Sequence, residues 1–266
     1  MDRTVEIVRS GTGWTLRVDG TDQSFVDLDD PGHLGFDYLE RIATVVDLLG
    51  EPGQRLRFVH VGGAAMSLPR YVASTRPTSP QIVLEPDEEL TALVRAELPL
   101  PRRSGIKVRP VDGRTGLAQL RDDHADVVVL DAFDGDRVPG DLATAECFAE
   151  VARVLAPDGI LIANLGDRAP FAWTAGALGG LRAVLPRIMV GGESATLKGR
   201  RHGNLLVLAA RDDLPVARVR RAMAGSPFPY TIWGPDEVAS RFDGSAPFTD
   251  ADPQVSPAPI RFRHFG

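Results

Sequence analysis

Four carboxylates stand where apolar runs stop: Glu85 after Gln81–Leu84, Asp112 after Ile106–Val111, Asp131 after Asp126–Leu130, and Asp134 three residues on. A fifth run, Phe58–Val61, stops instead at Gly62-Gly63. The runs carry the β-branched content of buried strands, and in an open parallel sheet the carboxyl ends of strands share one edge. Acids placed there converge on a single crevice, beside glycines that let a ligand approach the backbone closely. Glu85 lies 23 residues after Gly62, the interval at which nucleoside-binding α/β folds place an acid for the ribose hydroxyls. An acid beside an amine can also take its proton.

Each of these residues has a plainer reading. Two glycines after a strand can simply turn the chain into the next helix. Glu85, with Asp87 to Glu89, can serve the dipole at a helix start, Asp112-Gly113 is a common turn pair, and Asp134 reads equally as a turn or cap residue in DAFDGD. Asp131 is the hardest to explain away, because an acid ending an apolar strand is costly to bury without a partner.

The elements that must hold these residues alternate along the chain. Residues 1–30 show short alternating bursts broken by glycines, the pattern of antiparallel hairpins, and Phe36–Leu49 carries a helical stripe ended by Gly50. From Gln54 to about Ala210, strand and helix patterns alternate, with helices expected over Met66–Ser74, Glu88–Glu97, Gly116–Arg121, Ala143–Leu155 and Ala169–Val184. The glycine-rich, basic stretch between Arg187–Val190 and Asn204–Ala209 suits a hairpin and so a reversed strand at the end of the sheet; Leu214–Ala224 reads as one more helix. The expected architecture is α/β: a Rossmann-like, mostly parallel sheet over 51–226, an N-terminal hairpin subdomain with its connecting helix over 1–50, and a Pro/Gly-rich, extended tail over 227–266.

Composition narrows the function classes. The 30 basic and 36 acidic residues give a net charge of −6, which argues against nucleic acid or an anionic membrane as partner. A single cysteine, Cys147, provides neither a disulfide framework nor a thiolate cluster, and fits a small buried side chain in a reducing cytoplasm. Met1-Asp2-Arg3 is followed by no apolar leader, and the apolar stretch 171–190 is interrupted by Arg182, Arg187 and three glycines, so no secretion signal and no membrane span are expected. His60, His124 and His264 lack metal-ligand spacing, and no metal is expected. Lys198, Arg200, Arg201 and His202 read as a solvated hairpin tip.

Taken together, LRVDGTDQS (Leu16 to Ser24), GFDYLERI (Gly35 to Ile42), GGAAMSLPR (Gly62 to Arg70), VLEPD (Val83 to Asp87), VDGR (Val111 to Arg114), DAFDGDRVPGDLAT (Asp131 to Thr144) and LKGRRHGN (Leu197 to Asn204) resemble, in order and spacing, the motifs of the spermidine synthase (polyamine aminopropyltransferase) family, and more closely its divergent actinobacterial members. The resemblance spans about Trp14 to Ala210 and implies the class I methyltransferase fold. It implies S-adenosylmethionine or its decarboxylated form as co-substrate, held by Gln23, Gly62, Gly63, Glu85, Asp112 and Gly113. It also implies a small amine acceptor near Tyr38 and Asp134, Asp131 as the base, and a homo-oligomer. Ala64 and Ala65 stand where the family has a third glycine and an Asp, the acid expected to hold the propylamine tail, and Leu39 stands where it has Gln or His. Methyl transfer from the intact cofactor and a non-catalytic, ligand-binding role therefore remain as alternatives.

Overall fold

The computed structural model describes residues 3–225 and 228–259. The N-terminal bursts form three antiparallel strands, β1 (Val5–Ser10), β2 (Gly13–Val18) and β3 (Thr21–Val26). Asp19 and Gly20 join the last two with φ of 50° and 74°, the paired positive values that a two-residue hairpin turn requires. Then α1 (Asp37–Asp47) leads into an alternation of β4 (Phe58–Val61), α2 (Ser67–Thr75), β5 (Gln81–Leu84), α3 (Glu88–Glu97), β6 (Ile106–Arg109), α4 (Gly113–Ala118) and β7 (Ala125–Leu130). Next, α5 (Ala145–Val154) runs directly into β8 (Leu155–Asp167), followed by α6 (Ala172–Val184), β9 (Arg187–Glu193), the single turn α7 (Ser194–Leu197) and β10 (Gly203–Ala210). The chain continues through α8 (Val216–Met223), β11 (Tyr230–Trp233) and α9 (Pro235–Phe242).

The large sheet has the order β11-β9-β10-β8-β7-β4-β5-β6. Strands β8, β7, β4, β5 and β6 are parallel, and β10 runs against both β8 and β9. This is the Rossmann-like, class I methyltransferase arrangement with a separate N-terminal antiparallel sheet. Its first parallel strand, β4, lies between β5 and β7, so the chain winds outward on one side and returns on the other. The carboxyl ends of β4 and β7 therefore form the topological switch point where ligands of such sheets bind.

Alternation along the strands supplies both faces of the core. Val59, Val61, Val128, Leu130 and Leu161 pack with Leu117, Phe148, Val151 and Leu178 on one side, while Phe58, Val127, Val129 and Ile162 meet Ile42, Val45, Val46 and Val72 on the other. Leu16 and Val26 of the small sheet pack on Met66, Leu90, Val94 and Leu98. That third cluster ties the small sheet to the segment following the glycines.

Two expectations need revising. Helix α4 begins at Gly113, three residues before the periodic stripe suggests, because Asp112 caps it by accepting a hydrogen bond from the Thr115 amide at 2.9 Å. The described residues beyond 227, 228–259, are more than an extended tail: β11 adds to the sheet edge antiparallel to β9, and Trp233 packs against Phe171 and Phe242. Further on, Ser256 is fully buried, so an extended conformation goes with firm anchoring.

Arg76, only 1% exposed, closes the end of α1. Its guanidinium donates to the carbonyls of Val46 at 2.7 Å, Leu49 at 2.5 Å, Gln54 at 2.9 Å and Glu51 at 3.3 Å. These carbonyls belong to the last turn of α1 and to the loop that follows it, where positive charge is favoured by the helix dipole. Replacing Arg76 by Leu removes four hydrogen bonds from a buried guanidinium, two of them to carbonyls, Leu49 and Gln54, that accept no other backbone hydrogen bond among the described residues, and is expected to destabilise the fold by about 3 kcal/mol. The urea midpoint of the variant against the parent measures it.

Candidate active site

Strand register sets the level of each side chain. Val61 pairs with Leu84 on one side and Leu130 on the other, and Leu130 pairs with Ala163 of β8. The next residues, Glu85, Gly62, Asp131 and Asn164, thus lie abreast and on the same face, the first three just past the ends of β5, β4 and β7 and Asn164 within β8. Gly62 has φ of 94°, and a Cβ on it would fall 2.3 Å from the Asp131 carbonyl oxygen. A Cβ on Gly63 would fall 2.7 Å from Cγ1 of Val83. Only glycine permits this close approach, and it leaves space above the strand ends.

That space is a cavity of about 1090 Å³, large enough for a nucleoside with an aliphatic tail and a second small molecule. Gln23, Tyr38, Gly62, Gly63, Glu85, Asp112, Gly113, Asp131 and Asp134 all border it. The sequence-derived residues are therefore gathered in one place, although some are already engaged. Glu85 accepts from the amides of Gly63 at 3.0 Å and Ala64 at 3.1 Å through one oxygen, and from Asp87 at 3.1 Å through the other. The carboxylate thereby braces the glycine loop and keeps a lone pair for a ligand. Asp112 is both a helix cap and part of the wall, and the Thr115 amide holds its carboxyl below the usual range. Gln23 donates to the Gly135 carbonyl at 3.3 Å, which joins the small sheet to the loop carrying Asp134. That loop turns through Gly135, with the Asp134 and Arg137 backbones exchanging hydrogen bonds at 2.8 and 3.2 Å.

The loop conformation is strained. Ala64 and Met66 have φ of 42° and 62°, left-handed values that cost a residue with a side chain about 1–2 kcal/mol. Arg70 helps to hold the loop by donating to the Ala65 carbonyl at 3.2 Å and to the Leu98 and Pro99 carbonyls at the end of α3.

Asp131 is electrostatically distinct. Burial pushes its carboxyl up to about 6, against the opposing effects of Asn164, which donates to Oδ1 at 2.9 Å, and of the facing Tyr38 hydroxyl. Burial likewise drives the Tyr38 phenol well above its ordinary range, and the Asp131 charge adds to it. A carboxylate with an affinity for protons near neutrality suits a general base.

Other positions resolve differently. Ala65 is fully buried among core side chains, whereas Leu39 borders the cavity. Cys147 is sealed in the core, where burial pushes its thiol up to about 12. Lys198, Arg200, Arg201 and His202 do not border the cavity; Arg201 pairs with Glu193, and a ring nitrogen of His202 lies 3.1 Å from the Pro257 carbonyl. His264 falls outside the described residues. Among the described residues no group of three or more His, Cys, Asp or Glu is arranged to hold a metal, and no helix is long and apolar enough to cross a membrane.

Sequence reasoning missed Asn164 and His60. Both lie on the face that carries Asp131, His60 two residues before Gly62 and Asn164 one residue beyond the partner of Leu130, and that register was the available signal. It also missed the charge of the wall. Asp19, Asp87 and Asp141 join Glu85, Asp112, Asp131 and Asp134 around the cavity, and the only lysine or arginine bordering it among the described residues, Arg3, is paired with Asp87.

No family model matches the chain. A polyamine aminopropyltransferase of Chromobacterium violaceum is 26% identical over 211 residues, 78% of this chain and 76% of that protein. Among solved structures, a probable spermidine synthase from Corynebacterium glutamicum superposes with a TM-score of 0.86 at 28% identity over 93% of each chain. Human methyltransferase-like protein 13 in complex with SAH shares the fold, with a TM-score of 0.54 and 18% identity over 81% of this chain and 96% of that one. The resemblance read from the motifs therefore holds along most of the chain: it is similar to the aminopropyltransferases in sequence and to the spermidine synthases in fold.

Asn164 hydrogen-bonds the ionised form of Asp131, so its removal must raise the proton affinity of that carboxylate. The Asn164→Leu variant is expected to titrate Asp131 above about 6, read by carboxyl ¹³C NMR on unliganded protein. An unchanged or lower midpoint would contradict the assignment.

Proposed function

We propose that this spermidine synthase-like chain is a transferase that moves an aminopropyl or closely related aminoalkyl group from decarboxylated S-adenosylmethionine to a small amine. The observation that carries this reading is the charge of the cavity wall: among the described residues, seven carboxylates face a single, already paired arginine. Such a wall favours a sulfonium, an ammonium tail and an amine acceptor. Among the described residues it offers no unpaired lysine or arginine to the α-carboxylate of the intact cofactor.

In the proposed arrangement the loop at Gly62-Gly63 and the remaining lone pair of Glu85 hold the nucleoside, with Asp112 and Gly113 at its base and Gln23 over it. Tyr38 and Asp134 receive the acceptor. The acceptor amine attacks the carbon attached to sulfur; a C–N bond forms, the C–S bond breaks, and its electron pair stays on sulfur as a neutral thioether. The acceptor arrives as an ammonium, with a pKa near ~10, and its proton passes to Asp131. Alignment of amine, carbon and sulfur is the larger part of such a displacement. An assembly of two or more copies, implied by the resemblance, belongs to the same proposal and is checked by sedimentation equilibrium.

Calorimetric titration tests the donor. The decarboxylated form is expected to bind at least about tenfold more tightly than the intact form, since like charges brought together cost several kcal/mol. Tighter binding of the intact form would favour the methyltransferase alternative, and binding of neither at millimolar concentration the non-catalytic one. For the base, only ionised Asp131 can accept a proton, so kcat/KM should rise with pH through about 6. Asp131→Asn should lower kcat roughly 10²- to 10⁴-fold. Unimpaired turnover by that variant excludes Asp131 as the base.

A further inference from the structure

His60 lies two residues before Gly62 on β4, on the same face and therefore roughly 7 Å deeper in the fold. Val83 and Val129 flank it on the neighbouring strands, and Leu39, Leu68 and Pro69 border the same cavity. The residue is only 2% exposed, and the Phe58 ring stacks on it at 5.7 Å and 9°. In such apolar surroundings an imidazole must have its polar atoms satisfied.

One nitrogen is satisfied, and the arrangement fixes the tautomer. Nε2 of His60 lies 2.9 Å from Oε1 of Gln81. The Gln81 amide nitrogen donates to the Pro69 carbonyl at 2.9 Å, so the amide cannot be turned round and its oxygen must face the histidine. An amide oxygen only accepts, so Nε2 carries the ring proton and Nδ1 is a bare lone pair. Burial lowers the ring to about 4, which keeps it neutral. Nδ1 makes no hydrogen bond to a described residue and is not sealed from solvent, and the residue forms part of the cavity wall. The lone pair opens into the cavity.

We propose that Nδ1 of His60 accepts a hydrogen bond from the amino terminus of the group being transferred, making His60 a residue that selects donors with an amino-ended tail. The inference rests on the transferase reading and names how that site tells its donors apart. A nucleoside held at the level of Gly62 and Glu85 hangs its tail toward the next level down, where His60 sits. A methyl group leaves the lone pair unpaired, and a carboxylate meets it with lone pairs of its own. The neighbouring Ser67 hydroxyl is already spent on the Phe25 carbonyl at 2.5 Å.

Two nucleosides separate the tail from the rest of the ligand: decarboxylated S-adenosylmethionine, and 5′-methylthioadenosine, which has no amine. In calorimetric titrations His60→Leu is expected to weaken the first by roughly 10- to 100-fold, the worth of a hydrogen bond to a charged group, and to leave the second within about twofold. Equal losses for both, or none, overturn the role of His60. Because a buried substitution can disturb folding, ¹⁵N NMR of the wild-type histidine rings supplies a second reading: the amine-bearing nucleoside should shift Nδ1 and the other should not, and an unmoved Nδ1 also overturns it. Wild-type protein that binds neither nucleoside removes the transferase reading itself; wild-type that binds both, beside a variant that loses affinity for both equally or for neither, removes only this inference.

Discussion

Parallel strands in register give neighbouring side chains the same height, and everything at this site follows from that constraint. The pairing of Val61 with Leu84 and Leu130 brings a brace for the glycine loop, a close backbone contact and a desolvated acid abreast at one edge. The backbone contact is the tightest element. Any side chain at Gly62 would meet the Asp131 carbonyl, so the ends of β4 and β7 could not lie together and the cavity floor would open. The strain at Ala64 and Met66 is tolerated because Glu85 and Arg70 bond the loop from both sides.

The walls come from segments outside the large sheet. From the N-terminal side, Gln23 reaches the Gly135 carbonyl. From the C-terminal side, Ser256 bonds Val138 in both directions, at 2.8 and 3.1 Å, and Arg137 donates to the Ser256 carbonyl at 2.5 Å. Trp173 adds a bond to the Gln254 carbonyl at 2.6 Å. The loop between Asp131 and Pro139 is thus held by Gln23 of the small sheet and by Ser256 of the C-terminal segment. These bonds add to the packing of Ala132, Phe133 and Val138 on the core, and the position of Asp134 between them depends on both.

What the sequence disclosed and what it hid divide along physical lines. Acids that interrupt β-branched runs stand out because burial makes such residues rare, so Glu85, Asp112 and Asp131 could be placed on one edge before any coordinates. The double role of Asp112 was harder to see, because an Asp-Gly pair reads alike as a turn, a cap and a wall. His60 sat inside a strand pattern without breaking its apolar character, and Asn164 closed a run in which no charge marked it. Both become visible only when register assigns their faces. The C-terminal segment was opaque for another reason: an extended strap fixed by backbone hydrogen bonds and one buried serine has no periodicity to detect.

The raised proton affinity of Asp131 bears on the energetics of the proposed transfer. An ammonium near ~10 and a carboxylate at about 6 differ by roughly 4 units, about 5–6 kcal/mol against moving the proton. An ordinary carboxylate, near ~3.9, would add about 3 kcal/mol to that gap. Burial removes that part before any substrate enters. The donor acts on the other side of the balance, since a sulfonium and an ammonium in one desolvated cavity repel each other, and loss of the ammonium proton relieves the repulsion. Surrounding carboxylates draw both cations in; desolvation at Asp131 and repulsion between the cations then favour the neutral amine. The acidity of the wall and the weak acidity of its central carboxyl are thus complementary: one gathers charge, and the other gives the excess proton a place to go.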